Sequence, residues 1–217
     1  MRYILFDLDE TLYHKETGLM DVIRERISKY IELRLGMDPS QIEALRAEYY
    51  RRYGTTMRGL MVNYGIDPED YLAFVHDIPV EEYVAADPAL AEMLAGIELE
   101  KDIFSNASLE YVHRILDCLG VRGYFHRIFD IRAIGYINKP DRRAYIQVLK
   151  ALGTTGGECL IVDDSIRNLE PAKELGMTTV LVGDDRAGCV DFAIKRVTDL
   201  AEVLSKVKNV DASPGLR

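Results

Sequence analysis

Five short runs of mainly apolar residues recur along this chain, and segments with helical periodicity separate most of them. The runs do not alternate between apolar and polar residues, which is typical of strands buried on both faces of a sheet. They lie at residues 3–6, 102–104, 128–129, 159–162 and 178–182. Because strands that alternate with helices form parallel sheets with right-handed crossovers, we expect an α/β fold with a Rossmann-like, doubly wound parallel sheet.

One stretch, from about residue 18 to residue 80, contains helical patterns and no convincing strand. A connection of about sixty residues is too long for a single crossover between two strands. We therefore predict a helical cap at 18–80, inserted into a discontinuous α/β core formed by 1–17 and 81–207. Residues 208–217 contain few apolar side chains, and we expect them to form a flexible tail.

Composition argues against several classes of protein. The 217 residues carry 36 acidic and 27 basic side chains, a net charge of -9, which disfavours binding to a nucleic-acid polymer. No apolar run approaches the ~20 residues that cross a bilayer, and the N-terminus is too short and too acidic for a signal peptide. Cys118, Cys159 and Cys189 are widely spaced, so neither a zinc site nor a disulfide framework is predicted. We expect a cytoplasmic protein that does not bind membranes.

Two acids, Asp7 and Asp9, follow the first predicted strand. Acids two residues apart point the same way if the strand geometry continues, and open α/β sheets bind ligands at the carboxyl ends of their strands. Carboxylates there suit a hard cation such as Mg²⁺, which prefers oxygen ligands. Taken alone, the same pair is equally consistent with a solvated acidic loop or with helix caps.

Polar residues also follow two later predicted strands. Ser105 and Asn106 offer a hydroxyl and an amide group suited to phosphate oxygens, and Asp163 and Asp164 form an adjacent acidic pair. Adjacent carboxylates repel each other unless a cation or a proton lies between them. Lys139 lies between these strands and precedes a proline, which favours a loop or a helix entrance. A lone lysine is usually solvated, but this one is part of a set of four elements.

In this order the four elements resemble the haloacid dehalogenase-like (HAD-like) superfamily. Its pattern is DxDx[TV], then a Ser or Thr, then a Lys, then a paired acid. The sequence supplies residues 7–11, Ser105, Lys139 and residues 163–164 in the same order. The helical stretch after the first motif is similar to the small helical cap of the first class in that superfamily.

The resemblance extends to the pyrimidine 5′-nucleotidase branch of the superfamily and covers most of the chain. It rests on short segments distributed between the core motifs and the predicted cap. These are residues 12–13, 48–50, 53–60, 75–77, 164–165, 168–169 and 172–173. Glu10 departs from the asparagine common in this branch, which puts only fine substrate contacts in doubt.

The resemblance implies a phosphatase that forms an aspartyl-phosphate. Asp7 is expected to attack phosphorus, and Asp9 to protonate the leaving alcohol and then deprotonate water. Mg²⁺ is expected to bind the Asp7 carboxylate, the Asp9 backbone carbonyl and Asp164, with Asp163 nearby or bound through water. The metal and Lys139 together offset the repulsion between a carboxylate nucleophile and a dianionic phosphate.

The same resemblance implies a phosphate-binding group. Ser105 and the backbone N–H groups after Asp7, starting with Leu8, are expected to hold phosphoryl oxygens, together with Asn106 and Lys139. Thr11 is counted with this group, and its expected part is to steady the first loop. The predicted ligand is a small phosphorylated metabolite, with a nucleoside monophosphate among the candidates, bound to a monomer or homodimer.

Alternative interpretations remain open at this level. A phosphomutase of the β-phosphoglucomutase type, or a phosphatase of a sugar phosphate or another small phosphometabolite, carries the same four motifs. A dehalogenase is disfavoured because such enzymes lack the second acid of DxD, which is Asp9 here. A receiver domain is disfavoured because its acid pair follows the first strand and because it has no inserted cap.

Overall fold

The protein is built on one six-stranded parallel sheet. We describe it from a computed structural model, which covers residues 1–183 and 188–211. The strand order is β3-β2-β1-β4-β5-β6, and all neighbouring pairs are parallel. The strands are β1 (Tyr3–Phe6), β2 (Glu100–Phe104), β3 (Arg127–Phe129), β4 (Cys159–Asp163), β5 (Thr178–Val182) and β6 (Phe192–Ile194). The predicted α/β class and doubly wound parallel sheet are confirmed.

Helices connect and surround these strands. They are α1 (Leu19–Leu35), α2 (Pro39–Tyr53), α3 (Thr56–Tyr64), α4 (Pro68–Val75), α5 (Pro88–Ala95), α6 (Leu109–Leu119), α7 (Arg142–Leu152), α8 (Ile166–Glu174) and α9 (Leu200–Asp211). Among the described residues, none of these helices is both long and apolar enough to cross a membrane.

Local sequence signals explain where the helices begin. Asp38, Asp67 and Asp87 each precede a proline, and each side chain accepts a hydrogen bond from a backbone N–H of the first helical turn. Such acidic N-caps satisfy donors that have no partner inside the helix. Proline suits the first helical position because its missing N–H has no intrahelical acceptor there. These signals are short-range, which is why the sequence reveals them.

The strand that sequence analysis missed is β6, at the edge of the sheet. It contains three residues, and its central Ala193 is exposed. A run this short and only partly buried carries too little pattern to be distinguished from a loop. The four inner strands are buried along most of their length, and all four were predicted.

The register of the sheet brings the predicted site residues together. Phe6, the last residue of β1, pairs with Ile103 of β2 and with Val162 of β4. The residues that follow these strands therefore emerge side by side at one edge of the sheet. After β1 the chain forms β2 on one side of β1, and it later forms β4 on the other side. This edge of the sheet is therefore the topological switch point, where open α/β sheets bind ligands.

The stretch between β1 and β2 is helical, as expected. The fully described residues 18–80 contain α1 to α4 and no strand. Their assignment as a separate cap with these boundaries stays a prediction. The expected flexible tail begins at residue 208; α9 extends to Asp211, and residues 212–217 lie outside the described residues.

Helices α2 and α3 pack closely where Gly59 faces Tyr49. A Cβ atom at Gly59 would lie 2.3 Å from the Cγ and Cδ2 atoms of the Tyr49 ring, which is far inside van der Waals contact. Tyr49 is buried and packs edge to face on Tyr53, with 5.6 Å between ring centroids. The absence of a side chain at Gly59 therefore permits this contact.

We predict that Gly59→Ala destabilises the protein. Overpacking of a buried contact costs about 1–3 kcal/mol, whereas alanine in a helix gains only about 0.5–1 kcal/mol over glycine. Chemical denaturation should show a net loss in the free energy of unfolding. Gly123→Ala is the matched control, since its Cβ would meet no atom within 4 Å. Equal or greater stability of Gly59→Ala would contradict the close contact between α2 and α3.

Candidate active site

A pocket of about 560 Å³ lies between the carboxyl edge of the sheet and helices α1 to α4. Its sheet side is formed by polar residues that follow β1, β2 and β4, together with a lysine from the loop before α7. These are Asp7, Asp9, Glu10, Ser105, Asn106, Lys139, Asp164, Ser165 and Asn168. Its other side is formed mainly by apolar side chains of α1 and α4 and by residues of α2 and the start of α3. The arrangement is that of a ligand site with converging polar groups at one end.

Lys139 is buried between two carboxylates. Its Nζ atom lies 2.9 Å from Asp7 Oδ1 and 2.7 Å from Asp163 Oδ2, and only 1% of its surface is exposed. Burial alone would lower the pKa of Lys139, but the charges of Asp163 and Asp7 raise it above its ordinary value. The lysine is therefore a fixed positive charge beside Asp7.

Asp163 is fully engaged by its neighbours. Besides Lys139, its Oδ1 atom accepts hydrogen bonds from the backbone N–H of Ser165 at 2.9 Å and from Asn168 Nδ2 at 3.0 Å. Its Oδ2 atom also accepts from Asn168 Nδ2, at 3.2 Å. With both oxygens occupied, Asp163 is better suited to anchor Lys139 than to bind a metal directly.

Three carboxylates, from Asp7, Asp163 and Asp164, can bring one oxygen each within 4.8 Å of one another. Burial raises the pKa of Asp7 to about 7, even though Lys139 opposes the shift. Burial and the nearby charge of Asp7 raise the pKa of Asp164 to about 8. Clustered carboxylates with raised pKa values favour binding of a cation or a proton. Their oxygens are ligands of the kind that a hard divalent cation prefers, so the predicted ligands Asp7 and Asp164 fit Mg²⁺.

Asp9 lies at the pocket wall with two tyrosines behind it. Tyr13 and Tyr111 donate hydrogen bonds from their hydroxyls to Asp9 Oδ1, at 2.6 and 3.0 Å. Burial raises the pKa of Asp9, and the two tyrosine hydrogen bonds oppose that shift. Burial also raises the pKa of both tyrosines, so their hydroxyls stay protonated and remain donors.

The side chains of Ser105 and Asn106 differ in their hydrogen bonds. The Oγ atom of Ser105 accepts a hydrogen bond from the backbone N–H of Ala107 at 3.1 Å, and its own proton can be donated into the pocket. The Asn106 side chain is paired with the backbone of Lys139: Oδ1 accepts from its N–H at 2.8 Å, and Nδ2 donates to its carbonyl at 3.1 Å. The amide therefore holds the lysine loop at the pocket wall, and the role of Asn106 in phosphate binding stays a prediction.

The side chains of Leu8 and Thr11 do not line the pocket. Both are buried, and the Thr11 hydroxyl has no hydrogen-bond partner among the described residues. Leu8 can contribute only its backbone N–H, as predicted from the resemblance, whereas the hydroxyl of Thr11 does not steady the loop through a hydrogen bond. Glu10 has a positive φ of 56°, a conformation in which asparagine is favoured. Its carboxylate lies 3.6 Å from Arg24 of α1.

Sequence reasoning identified the charged residues of the site but missed those that position them. Tyr111 fits the apolar stripe of α6, and that pattern does not indicate that its hydroxyl contacts Asp9. Asn168 and Tyr13 belong to segments that carried the branch resemblance, and that was the only signal for them. Asn138 donates to the carbonyls of both Lys139 and Tyr53, and no sequence pattern indicates this.

A family model for haloacid dehalogenase-like hydrolases matches residues 1–176. The chain therefore belongs to the haloacid dehalogenase-like hydrolase family, and it is an enzyme of that class. This confirms the superfamily that the four motifs indicated. The finer resemblance, to the pyrimidine 5′-nucleotidase branch, stays a prediction.

Named relatives point to phosphate chemistry. Phosphate metabolism protein 8 of Saccharomyces cerevisiae is 28% identical over 196 residues, covering 83% of this chain and 61% of that protein. The glyceraldehyde 3-phosphate phosphatase of Methanopyrus kandleri is 25% identical over 236 residues, covering 95% of this chain and 98% of that protein. The chain thus spans less than two thirds of the yeast protein and nearly all of the second relative.

A solved structure shows the same fold. The HAD phosphatase of Thermococcus onnurineus superposes with a TM-score of 0.62 at 22% sequence identity, covering 94% of this chain and 98% of that one. At this level of identity the likeness concerns the arrangement of the elements, and the chemistry must be argued from the side chains of the pocket.

We predict that stability without metal falls as pH rises. The pKa values of Asp7 and Asp164, about 7 and about 8, lie above the ordinary value of 3.8. Groups with a raised folded-state pKa stabilise the folded protein while protonated, so their contribution is full below about pH 4 and is lost as pH rises through 7 and 8. Melting temperature measured in EDTA from pH 5 to 8.5 should decline, and Mg²⁺ should restore several degrees at the upper end.

Two variants control this measurement. Asp164→Asn removes one of the repelling carboxylates, so both the decline with pH and the effect of Mg²⁺ should become smaller. Asp77→Asn changes an acid with 86% of its side chain exposed, outside the pocket, and should behave like the parent. The same pH dependence in parent and Asp164→Asn would show that the cluster does not carry the effect.

Proposed function

We propose that the protein is a phosphomonoester hydrolase that works through an aspartyl-phosphate on Asp7. The observation that carries this proposal is the placement of Asp7 at the pocket wall, 2.9 Å from the buried ammonium of Lys139. A carboxylate beside a fixed positive charge can approach a dianionic phosphate that would otherwise repel it. The phosphatases among the relatives support the same activity.

The proposed reaction has two steps. In the first, a carboxylate oxygen of Asp7 attacks phosphorus, the bond from phosphorus to the leaving oxygen breaks, and Asp9 gives that oxygen a proton. In the second, Asp9 takes a proton from water, whose oxygen attacks phosphorus and releases the carboxylate of Asp7 with inorganic phosphate. In this proposal, Ser105 and the backbone N–H of Leu8 hold phosphoryl oxygens.

Mg²⁺ is the proposed cofactor. Asp7 and Asp164 would hold it with the backbone carbonyl of Asp9, and when bound it supplies positive charge that stabilises the phosphoryl group during transfer. Asp163 serves this site through Lys139, because its oxygens are occupied by other donors. Two carboxylates hold Lys139, so in this proposal its ammonium stays beside Asp7 when the cation binds.

For the substrate we propose a nucleoside 5′-monophosphate, preferably of a pyrimidine. A pocket of about 560 Å³ lies well within the usual range of small-molecule sites, about 300–1,000 Å³, and has room for more than a two- or three-carbon phosphate. Met20, Ile23 and Leu72 give it an apolar wall for a planar base. Arg46 adds a donor there, held by Ser28 Oγ at 3.0 Å from its Nη1 atom.

Other parts of the proposal concern the setting of the enzyme. We propose that it acts in a reducing cytoplasm on a small phosphorylated metabolite; Cys118, Cys159 and Cys189 are free thiols. Whether it works as a monomer or a homodimer stays a prediction. A phosphomutase would use the same four motifs, and product analysis separates it from a hydrolase.

We predict that the protein releases phosphate from nucleoside 5′-monophosphates in Mg²⁺ faster than from phosphoglycolate or glyceraldehyde 3-phosphate. Asp7→Asn should lower turnover by at least about 10³-fold, because an amide is a poor nucleophile. The measurement is phosphate release over a substrate panel, with Asp77→Asn as the control acid. Isomerisation of sugar phosphates without phosphate release would indicate a phosphomutase, and Asp7→Asn activity within about tenfold of the parent would remove Asp7 from its role.

We also predict that Asp9→Asn separates the two steps. With an alkyl phosphate the first step should fall by about 10²–10⁴-fold, the usual value of general acid–base help. With p-nitrophenyl phosphate the leaving group needs no proton, so Asp7 should still be phosphorylated while hydrolysis of the intermediate slows. Rapid mixing should therefore show a burst of p-nitrophenol followed by slow turnover. Equal loss on both esters without a burst would contradict the acid–base role of Asp9.

A further inference from the structure

Asp9 is held from behind by two tyrosines that the proposed chemistry does not use. We propose that Tyr13 and Tyr111 are positioning residues that fix the Asp9 carboxyl group, so that Oδ2 alone exchanges the proton with the leaving group and with water. This role rests on the proposed function, in which Asp9 is the general acid and base.

The two hydroxyls converge on one atom from different parts of the fold. Tyr13 comes from the loop after β1, four residues beyond Asp9, and its hydroxyl lies 2.6 Å from Asp9 Oδ1. Tyr111 comes from α6, and its hydroxyl lies 3.0 Å from the same oxygen. Donors from two separate elements restrict rotation of the carboxyl group more than a single local contact would.

These contacts determine which oxygen carries the proton. A carboxyl oxygen has two acceptor sites, and on Oδ1 of Asp9 both are filled by the tyrosine hydroxyls. A proton on that oxygen would displace one of the donors, whereas a proton on Oδ2 displaces none. Among the described residues nothing hydrogen-bonds to Oδ2, and Asp9 lines the pocket. The acidic proton is thereby kept on the oxygen that is free to face the substrate.

Packing holds the tyrosines themselves. Tyr111 is 1% exposed and Tyr13 is 7% exposed. The Tyr111 ring stacks on His76 with 4.4 Å between ring centroids and 19° between ring planes. His76 Nδ1 in turn lies 2.9 Å from Ser108 Oγ at the start of α6. Because these rings cannot turn without disturbing their neighbours, the hydroxyls keep their direction through both chemical steps.

The proton balance of the two steps then passes through one atom. Oδ2–H of Asp9 gives its proton to the ester oxygen as the bond to phosphorus breaks and Asp7 becomes phosphorylated. The Oδ2 atom then takes one proton from the attacking water, which restores the acid form when phosphate leaves. The tyrosine protons stay on their hydroxyls throughout, so the tyrosines act through Asp9 and not on the substrate.

The test compares two aryl esters of similar shape, phenyl phosphate and p-nitrophenyl phosphate. The ratio kcat/KM reports the first irreversible step, in which only the poorer leaving group, phenol, depends on a proton. For the double variant Tyr13→Phe with Tyr111→Phe, kcat/KM for phenyl phosphate should fall by about 10- to 100-fold. The value for p-nitrophenyl phosphate should change by less than about threefold. Each single variant should lower kcat/KM for phenyl phosphate by a smaller factor. The single variants therefore still test the proposal if the double variant is unstable.

Two comparisons make the result decisive. Tyr3→Phe is the matched control, since Tyr3 is equally buried but its hydroxyl faces Leu152 O in the core at 3.5 Å; it should leave the ratio of the two esters unchanged. On an Asp9→Asn background, the tyrosine variants should add no further discrimination between the esters. Equal losses on both esters, a gain on phenyl phosphate, or discrimination that persists without Asp9 would overturn the positioning role. Failure of the parent to hydrolyse either ester would instead overturn the proposed function.

Discussion

The ion pairs that Lys139 makes with Asp7 and Asp163 are the interaction on which the site depends. All three side chains are buried, with Lys139 only 1% exposed. Buried charges are stable only when they are paired and when their remaining hydrogen-bonding capacity is used. Asp163 meets this condition through Ser165 and Asn168. Removing Lys139 would leave two buried carboxylates side by side without a positive charge, so the geometry of the candidate nucleophile and the stability of the core cannot be changed independently.

The backbone around Lys139 connects this ion pair to the helical stretch that covers the pocket. Asn138 Nδ2 donates to the carbonyl of Tyr53, at the end of α2. Gly54, the next residue, lies so close that a Cβ atom there would be 2.5 Å from Asn138 Nδ2 and 2.6 Å from Pro140 Cδ. Arg167 of α8 donates to the carbonyls of Tyr50 and Arg51 in the last turn of α2. A shift of α2 away from the sheet would therefore have to break contacts with the loop that places the lysine.

The sequence was sufficient for the parts of the molecule that depend on local pattern. Buried strands carry continuous apolar runs, and the acid and lysine motifs follow them, so the sheet and the charged residues of the site could be predicted. Contacts between residues distant in sequence could not be predicted. The amide of Asn106 can bind a phosphate or the backbone of Lys139 equally well, and only the fold shows that it holds the lysine loop. Tyr111 fits the apolar pattern of α6, and that pattern would be the same with or without a hydrogen bond from its hydroxyl to Asp9. Strand β6 was missed because three partly exposed residues carry no pattern.

The surroundings of Asp7 and Asp9 explain how two aspartates only two residues apart can differ in chemistry. Asp7 faces the ammonium of Lys139, which opposes the larger effect of burial on its pKa and so favours the ionised form that a nucleophile requires. Asp9 faces two neutral hydroxyls that donate to its Oδ1 atom. These hydrogen bonds can form with Asp9 ionised or protonated, provided that the proton lies on Oδ2. Pairs of titratable groups whose environments differ in this way are the usual sign of separate catalytic roles. Residues two apart after β1 point the same way, so both acids face one pocket. Residues from β4, α6 and the loop before α7 then give the two acids different surroundings.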